Sequence, residues 1–267
     1  MLSVATIESQ MKVGMTHPCK VTCFNSSKRY VLKCINESTN GKALFNELIA
    51  SRLAQLIKLP TPHIEIGKLP QDVIDKNVFL KEIGAKSGAC FLSEFQSGTS
   101  LRINDNNVKH IKNIDVVPKL VLFDALLMNS DRNKNDGNWF ILKDQSLIAL
   151  DHTNIFRVAQ IWDKISLEQD LTIPPHIIDE IANGEYYQKL VSQYKLINSG
   201  KHHPFSPASR DFKKILNNNQ LDSCFIGIPS DWKVDLNEIT CAHDFVKHQI
   251  EHVNDLACEL EKTFNFK

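Results

Sequence analysis

Phe123-Asp-Ala-Leu-Leu-Met-Asn-Ser-Asp-Arg132, Asn138-Trp-Phe-Ile-Leu142 and Leu147-Ile-Ala-Leu-Asp-His152, in that order, decide how this chain is read. Asp115 to Met128 predicts a helix that tolerates Pro118, because proline fits a first turn. Residues 129 to 138 are polar throughout and predict a loop. Trp139–Leu142 and Leu147–Leu150 flank Lys143-Asp-Gln-Ser146, the pattern of a β-hairpin. Asp131 therefore follows an apolar helix, Asn138 immediately precedes one strand, and Asp151 ends the other. Magnesium favours oxygen ligands, typically a carboxylate with nucleotide phosphates. This layout places a base and two magnesium ligands at the open end of one hairpin. Phosphoryl transfer asks for those groups, together with a cation on the phosphates and a carboxylate to hold it. Its chemistry is mostly positioning and charge stabilisation, so the groups belong on separate rigid elements around one cleft.

Upstream, Val21-Thr-Cys-Phe24 and Arg29-Tyr-Val-Leu-Lys-Cys34 predict a hairpin across Asn25-Ser-Ser-Lys28. Lys33 interrupts an apolar strand pattern, and a lysine there must reach water, a partner or a ligand. A helix is predicted from about residue 42 to Ile57, with Leu44, Leu48, Leu53, Leu56 and Ile57 at helical spacing. Asn40-Gly41 starts it, and Pro60 and Pro62 stop it. Glu47 lies on that helix and could pair with Lys33, although on these two residues alone an exposed lysine and a solvated glutamate are the stronger reading. His63–Ile66, Val78–Leu80 and Cys90–Phe95 look like short strands, and Ser97-Gly98-Thr99-Ser100 reads as a hinge where composition shifts. Helices dominate beyond it, ending in one apolar stripe over residues 239 to 264.

Composition sets the outer limits. The 267 residues are 42% apolar and 23% charged, the mix of a globular domain with a real core. Thirty-one basic side chains balance 31 acidic ones, which argues against general nucleic-acid binding. No run approaches the apolar length of a membrane-spanning helix. The N-terminus lacks a secretory pattern, so a cytoplasmic protein is expected. Seven cysteines, an odd number without a Cys-x-x-Cys pair, fit buried reduced thiols. Cys19 and Cys23 read as small core residues on one strand face.

The chain resembles the HipA-like kinases, in particular the stand-alone branch without an additional N-terminal subdomain. The resemblance is carried by Arg29–Cys34, Gly41–Ala54 with Leu59-Pro-Thr-Pro62, Phe123–Arg132, Asn138, Leu150-Asp-His152 and Ile228-Pro-Ser-Asp-Trp232. It implies an α+β, bilobal protein-kinase-like fold, with a small β-rich N-lobe over residues 1–96 and a larger, mainly helical C-lobe over 97–267. It implies ATP and Mg2+ as cofactors and transfer of the γ-phosphate to a hydroxyl, Ser or Thr of a protein being the expected acceptor. Under the resemblance Lys33 binds the α- and β-phosphates, Glu47 orients Lys33, and Asp131 accepts or positions the hydroxyl proton. Asn138 and Asp151 hold magnesium. Ser93, Glu94 and Phe95 form the hinge segment whose backbone meets adenine, and Arg132 braces the catalytic loop. The family pattern often puts its metal-binding amide at the position of Asp136 here; Asn138 is preferred for its place before the strand, with Asp136 and Asn135 as substitutes. The one candidate for a glycine-rich phosphate loop is Gly14-Met-Thr16. An antitoxin-like partner also belongs to the expectation. A weak or inert kinase-like nucleotide-binding module and a kinase for small molecules or lipid headgroups stay open as alternatives.

Rival signals are thinner. His248-Gln-Ile-Glu-His252 matches a zinc-peptidase pattern, with Glu259 as a further ligand on the same face, but leaves little chain for the downstream third ligand. Two histidines on a solvated helix are the plainer account. His152 reads as a packing or hydrogen-bonding residue, and Trp139 and Trp162 as packing of the helical lobe. Lys201–Pro204 and Ser206–Arg210 read as surface loop.

Overall fold

Residues 1–11, 14, 16–100, 102–133, 138–217 and 219–266 are described by the computed structural model. The chain starts on a strand the sequence reading does not anticipate, β1 (Leu2–Gln10), in which only Val4 is buried. Leu2 and Ile7 pack partly buried against the barrel core, but register shifts between Val4 and Thr6 and between Ile7 and Ser9 break the alternation. β2 (Cys19–Cys23) and β3 (Arg29–Lys33) form the expected hairpin. Asn25 takes a φ of 60° between them, a conformation asparagine adopts more readily than most residues. After helix α1 (Gly41–Leu56) comes β4 (Ile64–Leu69), which pairs in parallel with β1. Two short helices follow, α2 (Gln71–Asp75) and α3 (Val78–Glu82), and then β5 (Gly88–Glu94). The small sheet expected of this region is a closed barrel, ordered β1-β2-β3-β5-β4.

Cys19, Val21 and Cys23 point inward from β2 and meet Leu32, Cys34, Cys90 and Leu92 in the barrel core. Burial pushes the Cys19 thiol up to about 11 and that of Cys34 up to about 12, so these are inert packing groups, as expected. Val78–Leu80, expected as a strand, lies in α3 instead. The Asn77 side chain accepts a hydrogen bond from the Leu80 amide at 3.0 Å, a helix cap that outweighs the β-favouring residues.

Downstream, β6 (Gly98–Ser100), β7 (Trp139–Leu142) and β8 (Leu147–Ala149) form a three-stranded antiparallel sheet, so all of the expected hinge but Ser97 is strand. Helix α4 (Val117–Leu127) precedes β7 and has proline in its first turn. The remaining helices are α5 (Lys164–Leu171), α6 (Asp179–Ala182), α7 (Glu185–Ile197), α8 (Phe205–Asn217), α9 (Gln220–Cys224), α10 (Leu236–Glu251) and α11 (Val253–Thr263). Two expectations change here. Ser206–Arg210, read as loop, lies inside α8, because Phe205, Ala208 and Phe212 repeat at helical spacing and are buried. The final apolar stripe is two helices broken at His252, whose ψ of 12° departs from helical backbone. Trp139 and Trp162 are fully buried among these elements. Among the described residues no helix is long and apolar enough to cross a membrane.

The larger apolar cluster includes α1 together with the elements after residue 100. The leucine stripe suggests one buried face for α1, yet Asn46, Glu47 and Ser51 are buried as well, because the helix is enclosed on several sides. The 3-10 turn Ser230–Trp232 closes over its start. Trp232 Nε1 donates to the Ala89 carbonyl at 3.1 Å, and the Ala89 amide donates to Asp231 Oδ2 at 2.8 Å. A Cβ on Gly41 would lie 1.7 Å from the Trp232 carbonyl oxygen. Gly41→Ala is therefore expected to destabilise the fold by about 1–3 kcal/mol through overpacking, read as a lower thermal midpoint. An unchanged midpoint would show that this contact places no limit on the helix.

Candidate active site

Lys33 closes β3, and its neighbour across the sheet is Phe91 of β5. The strand end directs the ammonium towards α1, where it pairs with Glu47 Oε1. A second carboxylate reaches it from beyond β8, with Asp151 Oδ2 at 3.0 Å. Asp151 has a φ of 55°, so the chain turns sharply at the residue that ends the hairpin. The Lys33 side chain is 9% exposed and that of Glu47 4%, which makes an unpaired charge at either position costly.

Electrostatics follow from that burial. For Lys33 burial lowers the pKa, but Asp151 and Glu47 together more than offset it, and the ammonium is held above its ordinary value. For Glu47 burial raises the pKa, and the nearby Asp151 adds to the rise beyond what Lys33 takes back. Asp151 goes the other way: burial raises it, while Lys33 and its hydrogen bonds hold it below the ordinary aspartate range. One lysine compensates one carboxylate well, and the firmly ionised one is Asp151. A depressed carboxyl pKa contributes stability above its unfolded value that is lost as pH falls through the folded value.

The second half of the site hangs on Arg132. It is fully buried, and its Nε donates to Asp124 Oδ2 at 2.7 Å. Its NH1 donates to the carbonyls of Asn138 at 3.0 Å and Leu150 at 2.7 Å. One guanidinium thus fixes both chain segments at the open end of the β7–β8 hairpin relative to α4. Asp124 is itself held by Tyr187 Oη at 2.9 Å and Asn129 Nδ2 at 3.1 Å. On this frame Asn138 Nδ2 donates to Asp131 Oδ2 at 3.0 Å. Asp136 and Asn135 lie outside the described residues.

Gly14, Lys33, Glu47, Ser93, Glu94, Phe95, Asn138 and Asp151 all line one cleft, and Asp131 joins it through Asn138. Gly14 has a φ of 109°, which suits glycine. The hinge candidates are more committed than the sequence suggests. The amides of Glu94 and Phe95 donate to the carbonyls of His63 and Arg29, each at 2.8 Å, and Gln96 beyond them also lines the cleft. Three participants escape sequence reasoning. Asp124 registers only as a charge interrupting an apolar run, Tyr187 gives no signal, and Thr153 is hidden two residues beyond Asp151. Thr153 Oγ1 stands 2.7 Å from Glu47 Oε1 and 2.8 Å from Asp151 Oδ1.

Asp151, Asn138 and Asp131 offer hard oxygen donors at the open end of the β7–β8 hairpin, a set that suits a magnesium-type ion completed by phosphates and water. Among the described residues no three His, Cys, Asp or Glu side chains are grouped to hold a metal by themselves. His248 and His252 lie ring to ring at 4.8 Å, with His252 paired to Asp255, and Glu259 accepts a hydrogen bond from the Ile177 amide.

Comparison with known proteins adds the lineage. The HipA-like kinase family matches residues 4–264, nearly the whole chain. No curated protein matches it. A solved structure, that of the Helicobacter pylori proinflammatory kinase CtkA, is similar over 98% of this chain and 97% of its own, with a TM-score of 0.60 at 12% identity. At that identity the likeness is one of fold.

For Asp151 the pH window lies below 3.8, the ordinary aspartate value. Denaturant unfolding at a series of acidic pH values is expected to show stability falling through that window, with a shallower slope in Asp151→Asn. Identical slopes in the two proteins would contradict the assignment of Asp151 as the ionised partner.

Proposed function

The chain belongs to the HipA-like kinase family, and from that premise we propose that it transfers the γ-phosphate of ATP, in a magnesium-dependent reaction, to a hydroxyl, that of Ser or Thr in a protein. The observation that carries the reading is Lys33, held by Glu47 and Asp151, in one cleft with the Asp131–Asn138 pair. The cleft lies between a β-rich N-lobe and a mainly helical C-lobe. Val31, Ile64, Phe91 and Leu150 supply apolar walls for a flat base, and Phe95 and Gln96 present the backbone that would meet its polar edge. Lys33 would place its charge on the nucleotide phosphates, as a lysine held by a helix glutamate does in protein kinases.

Asn138 and Asp151 would hold the divalent ion, whose contribution when bound is to offset negative charge on the phosphate oxygens. Asp131 would receive or orient the acceptor proton, with Asn138 Nδ2 holding the carboxylate in place. Arg132 keeps Asp131, Asn138 and Asp151 in register because it is bonded to backbone on both sides of the hairpin. A second reading, nucleotide binding without transfer, draws on the displacement of the amide candidate Asn138 from the family's usual position, that of Asp136 here.

Incubation with radiolabelled ATP and magnesium, followed by mass spectrometry of the protein and a cell lysate, tests the proposal. Asp131→Ala is expected to lower transfer by about 10²–10⁴-fold, the usual contribution of a proton-handling side chain, with the thermal midpoint retained. Full activity in that variant would overturn the assignment. ATP binding without transfer to any protein would select the second reading.

A further inference from the structure

Thr153 is almost fully buried and touches every charged group around the Lys33 ammonium. Its amide donates to Asp151 Oδ1 at 3.3 Å, and its hydroxyl lies 2.8 Å from the same oxygen. That hydroxyl is also 2.7 Å from Glu47 Oε1 and 3.3 Å from Lys33 Nζ. Asp151 Oδ2 is taken by Lys33 at 3.0 Å. A second tie comes from the backbone, since the His152 amide donates to Glu47 Oε1 at 3.2 Å.

We propose that Thr153 is a positioning residue for the divalent cation: its amide and hydroxyl grip Asp151 Oδ1 and hold the carboxylate in its ligating orientation. The proposal rests on the reading of Asp151 as a cation ligand. The physical case is one of counting. A hydroxyl has one proton to give and lone pairs with which to accept. Thr153 accepts from Lys33 and gives its proton to one of two carboxylates that both face the same ammonium. The hydroxyl proton can therefore go to either carboxylate, while the Thr153 amide stays on Asp151 Oδ1 whichever one takes it. Neither an apolar side chain nor a fixed donor could change sides in this way. The branched Cβ restricts χ1, so the hydroxyl stays at the junction of the three groups. Partners that orient a metal-binding carboxylate typically change metal affinity by about 10–100-fold when removed.

The test uses the full chain and reads binding, not turnover. Magnesium chloride is titrated calorimetrically into protein saturated with a non-hydrolysable ATP analogue, for wild type, Thr153→Val and Thr153→Ser. Binding of the analogue alone is measured in chelator. The expectation for Thr153→Val is a Mg2+ affinity about 10–100-fold weaker, with analogue binding in chelator unchanged, and for Thr153→Ser an affinity near wild type. Transfer assays should show a raised KM for Mg2+ with kcat recovered at saturating Mg2+. Thr153→Ala replaces the valine variant if thermal unfolding shows that the latter does not fold. Wild-type Mg2+ affinity in a folded hydroxyl-deleted variant would overturn the proposal, as would an equal loss of analogue binding without metal. Wild-type protein that binds the analogue but no Mg2+ would instead remove the premise that Asp151 is a ligand.

Discussion

Everything in the cleft is arranged around one buried ammonium group. Lys33 cannot sit where it does without a carboxylate, because an isolated charge at that depth is far costlier than the fold could bear. It has two, from elements that are remote in sequence, and so ties β3, α1 and the end of β8 to a single point. Deleting one member of such a buried set usually costs about 3–5 kcal/mol, much of it from the charge left without a partner. The same ion pairs that hold Lys33 in the cleft therefore hold the barrel against the helices.

Arg132 does the equivalent work in the lower half of the site. Its bonds run to Asp124 and to two carbonyls, so it organises backbone in addition to neutralising an acid. Asn138 and Asp151 flank the two strands at the open end of the β7–β8 hairpin, and the guanidinium bonded to the Asn138 and Leu150 carbonyls sets their spacing. Tyr187, from α7, steadies Asp124 from behind. The geometry of the cleft is thus anchored two layers deep in the helical core.

Much of this was legible in the order of residues. A lysine inside an apolar strand, a carboxylate after an apolar helix, and an amide and a carboxylate bracketing a hairpin each break a local pattern, and such breaks mark chemistry. The supporting residues break none. Thr153 in a polar turn and Tyr187 on an amphipathic helix look ordinary, because their importance comes from contacts across the fold. Architecture failed in the same way. β1 has one fully buried residue and an alternation broken by two register shifts, so barrel closure is visible only once β4 is in place beside it. At Val78–Leu80 a single capping asparagine settled the structure against β-favouring side chains.

The seating of α1 bears on how such an enzyme can be controlled. Phe45, Leu48, Ile49 and Leu53 are at most 2% exposed and belong to the cluster shared with the later helices. Swinging the helix outward to withdraw Glu47 would uncover them, at a cost on the order of 6–12 kcal/mol. That is as large as the entire stability of many domains. A rocking helix, available as an on–off lever where its outer face is free, is cemented in place here, and amide exchange along it should proceed only with global unfolding.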